Sequence, residues 1–142
     1  LLGVLVTLNI RYSNILYLKA DVMQTQMISY YTTLITRIES VEGYTEDAQV
    51  VYIGEYDKHD KNFVGVSEYF DDLDLATYKG EPIFNDYAWK EAMEFWCGFA
   101  PELGDAAEFD GNAEVASMPC YPDQGSIRCI NGKIVVKFAD EP

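Results

Sequence analysis

Residue types that commonly do chemistry are sparse in this 142-residue chain, which has three cysteines and a single histidine. Cys97, Cys120 and Cys129 form no CxxC pair, whereas a structural zinc site needs four soft ligands at close spacing. His59 lies in a charged segment, which is typical of a surface histidine. The chain has no GxSxG motif and no phosphate-binding glycine loop. The sequence therefore predicts no catalytic residue, no metal and no cofactor.

The three cysteines are expected to be buried and reduced, because nothing around them is basic enough to activate a thiolate. Their spacing also allows a bridge between Cys120 and Cys129. The acidic run Asp71-Asp72-Leu73-Asp74 invites a calcium interpretation. An EF-hand loop alternates its acids around a central glycine, and this run does not. We interpret it as a solvated turn in a loop-rich stretch over residues 55–82.

The acidic residues are concentrated in the middle of the chain. Residues 39–114 hold 20 of the 24 acidic residues and 4 of the 10 basic ones, and the whole chain carries a net charge of −14. This excludes phosphate-neutralising nucleic-acid binding and a polybasic membrane patch. We interpret the acidic middle as a solvated face, with binding of cations or a basic partner as the alternative. A hydrolase using two carboxylates is a distant alternative, because it would need a pair about 5–10 Å apart.

Two helices are predicted. The first covers about residues 14–41, because no Gly or Pro interrupts residues 11–42 and apolar residues recur every three or four positions. Its apolar stripe consists of Met23, Met27, Tyr30 or Tyr31, Leu34, Ile38 and Val41, and Gly43 ends it. The second covers residues 86–97, with Trp89, Met93 and Trp96 on one face. The spacing predicts a core face, and a sugar-stacking surface is the alternative.

The sequence predicts an α/β fold with a small mixed sheet of three to four strands, a long N-terminal helix and a C-terminal β-hairpin. One strand is predicted at residues 48–54. The hairpin covers residues 126–138 and turns at Asn131-Gly132, a pair that tolerates the positive φ of a type I′ turn. Residues 13–142 are expected to form a single soluble domain.

A proline-rich loop precedes the hairpin. Its sequence is Met118-Pro119-Cys120-Tyr121-Pro122-Asp123-Gln124-Gly125, and two prolines with a glycine predict a rigid, exposed turn. Rigid loops at strand ends often carry function. The alternative is that the loop only sets the angle at which the chain enters the hairpin.

The first ten residues carry no charge and are followed by Arg11, Tyr12, Tyr17 and Lys19, types that anchor helix ends among lipid headgroups. Ten residues cannot span a bilayer, which takes about 20. Residues 1–12 are therefore interpreted either as the end of a transmembrane helix or as a buried apolar lead-in to a soluble domain. Because position 1 is leucine, we expect a processed product or a piece of a longer chain.

Several short segments together indicate a family. In the first half they are Asn14-Ile15-Leu16-Tyr17-Leu18-Lys19, Ser29-Tyr30-Tyr31, Arg37-Ile38, Gly43-Tyr44 and Val51-Tyr52-Ile53-Gly54. At the end they are Met118-Pro119-Cys120-Tyr121-Pro122, Gly125-Ser126-Ile127 and Val135-Val136-Lys137-Phe138. This order resembles the C-terminal segment of the polytopic bacterial glucosyltransferases of the O-antigen-modifying (Gtr) type. Such proteins move a glucosyl unit from a polyprenyl-phosphate carrier onto a surface polysaccharide.

The resemblance implies a non-catalytic accessory domain, because the family's catalytic acids lie in membrane-proximal loops that precede this segment. It implies the rest of a membrane protein as partner, and a soluble tail on the extracytoplasmic side. The two basic residues after the apolar run favour the cytoplasmic side instead. If acceptor glycan is bound, we expect Tyr121 and Asp123 to contact it, with Tyr52 or Tyr44 nearby. The alternative is a free-standing soluble domain that binds a small ligand or another protein.

Overall fold

The computed structural model describes residues 2–54 and 88–139. His59, the acidic run at 71–74 and the rest of the loop-rich stretch predicted over 55–82 lie outside the described residues. The described elements are α1 (Leu2–Glu39), β1 (Val50–Ile53), α2 (Ala88–Cys97), a 3₁₀ turn (Ala106–Phe109), α3 (Ala113–Ala116), β2 (Ile127–Ile130) and β3 (Lys133–Lys137). The predicted α/β fold, with a long N-terminal helix and a C-terminal hairpin, is confirmed.

Helix α1 is a single helix of 38 residues. It begins earlier than the predicted start, because the uncharged N-terminal run continues the helix instead of forming a separate element. The predicted stripe is confirmed at four buried side chains, Met27, Tyr31, Leu34 and Ile38. The helix ends at Glu39, earlier than predicted. Gly43, with a φ of +91°, lies instead in the turn closed by the Tyr44 amide, which donates to the carbonyl of Val41 at 3.0 Å.

The three strands form one mixed sheet in the order β1-β3-β2. Strand β1 is parallel to β3, with Val51 opposite Val135, and β2 is antiparallel to β3, with Cys129 opposite Ile134. At the hairpin turn Asn131 and Gly132 have φ values of +53° and +78°. These are the two positive values that a type I′ turn requires, so the predicted hairpin is confirmed.

Both faces of the sheet are buried, because other parts of the chain cover each of them. One face packs against α1 and α2 through side chains that include Val50, Ile134 and Val136. The other face packs through Val51 and Val135 against the segment that contains the 3₁₀ turn and α3. The sequence did not predict this second layer.

Helix α2 ends at Cys97 as predicted, and the predicted start at residues 86–87 lies outside the described residues; its burial differs from the prediction. Met93 is 2% exposed, whereas Trp96 is 47% exposed and the neighbouring Phe95 is 78% exposed. The core prediction for Trp96 is therefore wrong. The buried face of α2 consists of Ala92 and Met93, which are adjacent and point about 100° apart. It does not extend to Trp96 in the next turn, so the buried face is shorter than predicted. The side chain of Trp89 is not among those described.

The burial of α1 makes a matched prediction about stability. Leu34 is 1% exposed and Leu8 is 57% exposed on the same helix. Leu34→Ala should lower the free energy of unfolding by about 2–5 kcal/mol, because it leaves a cavity in the core. Leu8→Ala should change it by less than about 0.5 kcal/mol, because alanine and leucine have similar helix propensities at an exposed position. Urea unfolding followed by circular dichroism measures both, and equal effects would contradict the assignment of the core.

Candidate functional site

Helix α1 holds the proline-rich loop in place. The guanidinium of Arg37 donates to the carbonyl of Pro122 at 2.6 Å and to the carbonyl of Asp123 at 3.0 Å. The same guanidinium carbon lies 4.9 Å from the ring centroid of Tyr121, within the range of a cation–π contact. Two charge-assisted hydrogen bonds and a ring contact therefore come from one side chain, and they fix the path of the loop.

Tyr121 is part of the core and not a surface residue. Its side chain is 8% exposed, and its ring makes edge-on contacts with Tyr30 at 5.7 Å and Phe138 at 5.8 Å between centroids. With these two rings and Arg37 around it, Tyr121 offers little surface for a sugar to stack on. The loop is exposed only at its tip, at Asp123 and Gln124. This favours the interpretation that the loop sets the entry of the hairpin.

Asp123 contributes to the loop through its backbone. Its carbonyl accepts hydrogen bonds from the hydroxyl of Ser126 at 2.7 Å and from the Ser126 amide at 3.3 Å, in addition to the one from Arg37. Its carboxylate belongs to the exposed tip. Asp123 therefore has a structural role through its backbone, and the neighbouring Tyr121 ring is covered.

Tyr44 and Tyr52 lie in different places. Tyr44 follows the end of α1 and packs partly buried against the core. Burial first, and then the negative charges of Glu39 and Glu46, raise the pKa of its hydroxyl. Tyr52 lies on β1 and stacks on Phe138 with centroids 5.9 Å apart and an interplanar angle of 11°. Phe138 therefore lies between Tyr52 and Tyr121 and contacts both rings.

A groove of about 130 Å³ lies beside Tyr52, between β1, α2 and the chain that follows α2. Its lining includes Tyr52, Lys90, Met93, Glu94, Phe99, Pro101 and Leu103. We call it the β1–α2 groove. Of the four residues expected to contact glycan, Tyr52 is the one that lines it.

The wall formed by the chain after α2 is fixed to the edge of the sheet. The amide of Val50 donates to the carbonyl of Glu102 at 2.8 Å, and the amide of Gly104 donates to the carbonyl of Val50 at 3.0 Å. Gly104 is needed for this approach, because a Cβ there would lie 2.6 Å from a Val51 methyl carbon. The groove is therefore bounded by backbone that is hydrogen-bonded to β1.

The chemistry of the β1–α2 groove is that of binding. Met93, Phe99 and Leu103 give it apolar walls, and Lys90 and Glu94 bring one charge of each sign. Burial raises the pKa of the Tyr52 hydroxyl well above its ordinary value of 10, so the phenol stays uncharged even in moderately alkaline solution. In the described parts of the chain, no group of three His, Cys, Asp or Glu side chains could hold a metal ion.

Phe95 was missed by reasoning from periodicity, whereas its neighbour Trp96 was predicted as a core residue, with sugar stacking as the alternative. Phe95 and Trp96 contact each other edge to face, with centroids 4.9 Å apart, and both are exposed. The signal that could have found them is their adjacency. Neighbouring residues on a helix point about 100° apart, so two consecutive large aromatics on a ten-residue helix are difficult to bury together.

The three cysteines are free thiols and each is half-buried. They are less buried than predicted, their reduced state stays a prediction, and Cys120 is not bridged to Cys129. The Sγ of Cys129 instead lies 3.9 Å from the carbonyl oxygen of Gly43, where the chain leaves α1.

A second surface is the apolar end of α1, by which we mean residues 2–10. Its large apolar side chains are 51–76% exposed, and they are Leu2, Val4, Leu5, Val6, Leu8 and Ile10. The run is therefore not buried by the other described residues, contrary to its interpretation as a buried lead-in. No helix among those described is long and apolar enough to cross a membrane.

Comparisons of this chain with protein-family models, with curated proteins and with solved structures found no match.

The raised pKa of Tyr52 makes a prediction about alkaline stability. The unfolded chain loses the phenol proton near pH 10 and the folded chain only at higher pH, so the unfolded state is favoured as the pH rises above about 10. Relative to Tyr52→Phe, the wild type should lose up to about 1.4 kcal/mol more of its free energy of unfolding per pH unit in that range. Urea unfolding of both proteins from about pH 9 to pH 11 measures this difference. Parallel pH profiles for the two proteins would refute it.

Proposed function

We propose that this chain is a non-catalytic accessory domain of a bacterial membrane glucosyltransferase that modifies a surface polysaccharide. The observation that carries the proposal is the apolar end of α1. Nine consecutive uncharged residues form a helix whose large apolar side chains are more than half exposed. A helix that is apolar on all sides is stable when it is surrounded by protein or lipid.

The dimensions of this helix support attachment at a membrane. Residues 2–10 rise about 14 Å along the helix axis, roughly half the thickness of a bilayer's hydrocarbon core. Arg11, Tyr12 and Tyr17 follow on the same unbroken helix, and these residue types are common at the headgroup level. The apolar end would therefore lie among other membrane segments of the parent protein, which is the partner that the resemblance implies.

The charge of the domain supports the extracytoplasmic side. The chain carries a net charge of −14, and the cytoplasmic leaflet of a membrane has a negative surface potential. A strongly acidic domain close to that leaflet would be repelled. The resemblance also implies the outer side, where the acceptor polysaccharide is. The alternative function, a free-standing soluble domain for a small ligand or a protein, would need another cover for the apolar end of α1.

Vesicle binding provides a direct prediction. The chain should float with phosphatidylcholine vesicles in a density gradient, because the apolar end of α1 gains burial in lipid. Leu5→Glu and Leu8→Glu should each strongly reduce flotation, since a carboxylate enters the apolar end. The matched control is Leu103→Glu, an apolar residue that is 42% exposed in a different part of the fold. Equal flotation of the Leu8→Glu and Leu103→Glu variants would count against membrane attachment.

A genetic experiment provides the functional prediction. The reading frame upstream of Leu1 should encode several apolar segments of about 20 residues. A stop codon that removes residues 13–142 in the encoding bacterium should strongly reduce glucosylation of the surface polysaccharide, as measured by sugar analysis. An immunoblot of the membrane fraction would show whether the shortened protein persists. A start codon at Leu1, or unchanged glucosylation, would overturn the proposal and favour the free-standing domain.

A further inference from the structure

We infer that the β1–α2 groove and the adjoining exposed side of α2 bind a neutral oligosaccharide, with one sugar ring in the groove and the next against Phe95. A sugar-stacking surface on this helix, through Trp89 and Trp96, was the alternative predicted from the sequence, whereas Phe95 and the groove were not predicted. Its identification with the acceptor polysaccharide rests on the proposed function. The binding itself does not.

The side chains along α2 connect the groove to the aromatic pair. Lys90 and Glu94 are four residues apart and so are neighbours on the helix surface, and both line the groove. Glu91 and Phe95 are also four residues apart and form the next row. A ligand leaving the groove across α2 would therefore meet charged hydrogen-bonding groups before it reaches an aromatic ring.

Phe95 has the properties of a stacking surface. It is 78% exposed, and its ring is oriented by the edge-to-face contact with Trp96, at an interplanar angle of 84°. An oriented exposed ring can cover the apolar C–H face of a sugar with little loss of side-chain freedom. The carboxylates of Glu91 and Glu94 can accept hydrogen bonds from sugar hydroxyls.

Size and charge favour this ligand over others. A volume of about 130 Å³ is well below the roughly 300–1,000 Å³ of pockets that enclose whole small molecules, so the groove suits one ring of an extended ligand. The charged residues of α2 are Lys90, Glu91 and Glu94, a net charge of −1, and this balance disfavours an anionic ligand. Lipid insertion of Phe95 would place Glu91 against the headgroups, which is unfavourable at an anionic surface. A hydroxyl-rich, uncharged chain avoids both penalties.

The test is a titration of the isotope-labelled 142-residue chain with deacylated surface polysaccharide purified from the encoding bacterium, followed by amide NMR shifts. Shifts should concentrate at residues 90–101. Phe95→Ala should weaken binding by at least about fivefold, because it removes the stacking ring, whereas Phe95→Tyr keeps the ring and should preserve binding. The matched control is Tyr17→Ala, an aromatic that is 77% exposed on α1, which should bind like the wild type. The unfolding midpoint of each variant shows that its fold is retained.

The outcomes separate this inference from the proposed function. If no shifts appear, or if Tyr17→Ala weakens binding as much as Phe95→Ala, the inference is wrong, even where glucosylation requires residues 13–142. The inference is also overturned if residues 90–101 shift with tetralysine or with anionic vesicles and not with the polysaccharide. The ligand would then be a basic peptide or lipid. Polysaccharide binding that is lost in Phe95→Ala supports it, even if the upstream reading frame encodes no membrane segments.

Discussion

The buried side chain of Lys137 is the contact on which the arrangement around the sheet depends. Lys137 is 3% exposed at the end of the central strand, and its ammonium donates to the carbonyls of Met118 at 2.9 Å, Val115 at 3.2 Å and Ala116 at 3.3 Å. A buried charge is costly unless it is hydrogen-bonded, and the carbonyls at the end of α3 are acceptors that a cation suits. The backbone of the same residue donates to the carbonyl of Ser126 at 3.0 Å and accepts from the amide of Tyr121 at 2.7 Å. One residue therefore attaches the whole segment 115–126 to β3.

This attachment explains why the proline-rich loop is structural and where an open surface remains. Lys137 holds the loop from the sheet side, and Arg37 holds it from α1. Strand β3 is paired on both sides, and the amide of Phe138, just beyond it, donates to the carbonyl of Ile53 at 2.8 Å. At this end of the fold the rings of Tyr30 and Phe138 cover Tyr121. Within residues 2–54 and 88–139, the other edge of β1 is joined to residues 102–104 alone, and it is there that Tyr52 borders a groove.

The elements that the sequence predicted are those specified by local signals. The stripe of α1 repeats over several turns, and Asn131-Gly132 is a turn signal contained in two residues. The layer formed by the 3₁₀ turn and α3 has no such signal, because four-residue helices are too short to show a period and depend on caps such as Asn112. The burial of Tyr121 depends on Arg37, a partner 84 positions earlier in the chain. The sequence shows which aromatic residues lie near strand ends, but long-range packing decides which of them face solvent.

The length of α1 relates the two proposed surfaces to each other. Among the described side chains of α1, the first that is buried is Met27, seventeen residues after Ile10, a rise of about 25 Å along the helix. Met27 belongs to the same core as Ala92 and Met93 of α2, so α2 packs beyond the exposed stretch of the helix. If the apolar end of α1 lies in lipid and the helix runs perpendicular to the membrane, α2 would be held away from the bilayer. At that distance polysaccharide would be more accessible to it than lipid headgroups. On these two proposals, a hydrated ligand suits Phe95 and Trp96, and the unbroken helix would separate membrane attachment from binding.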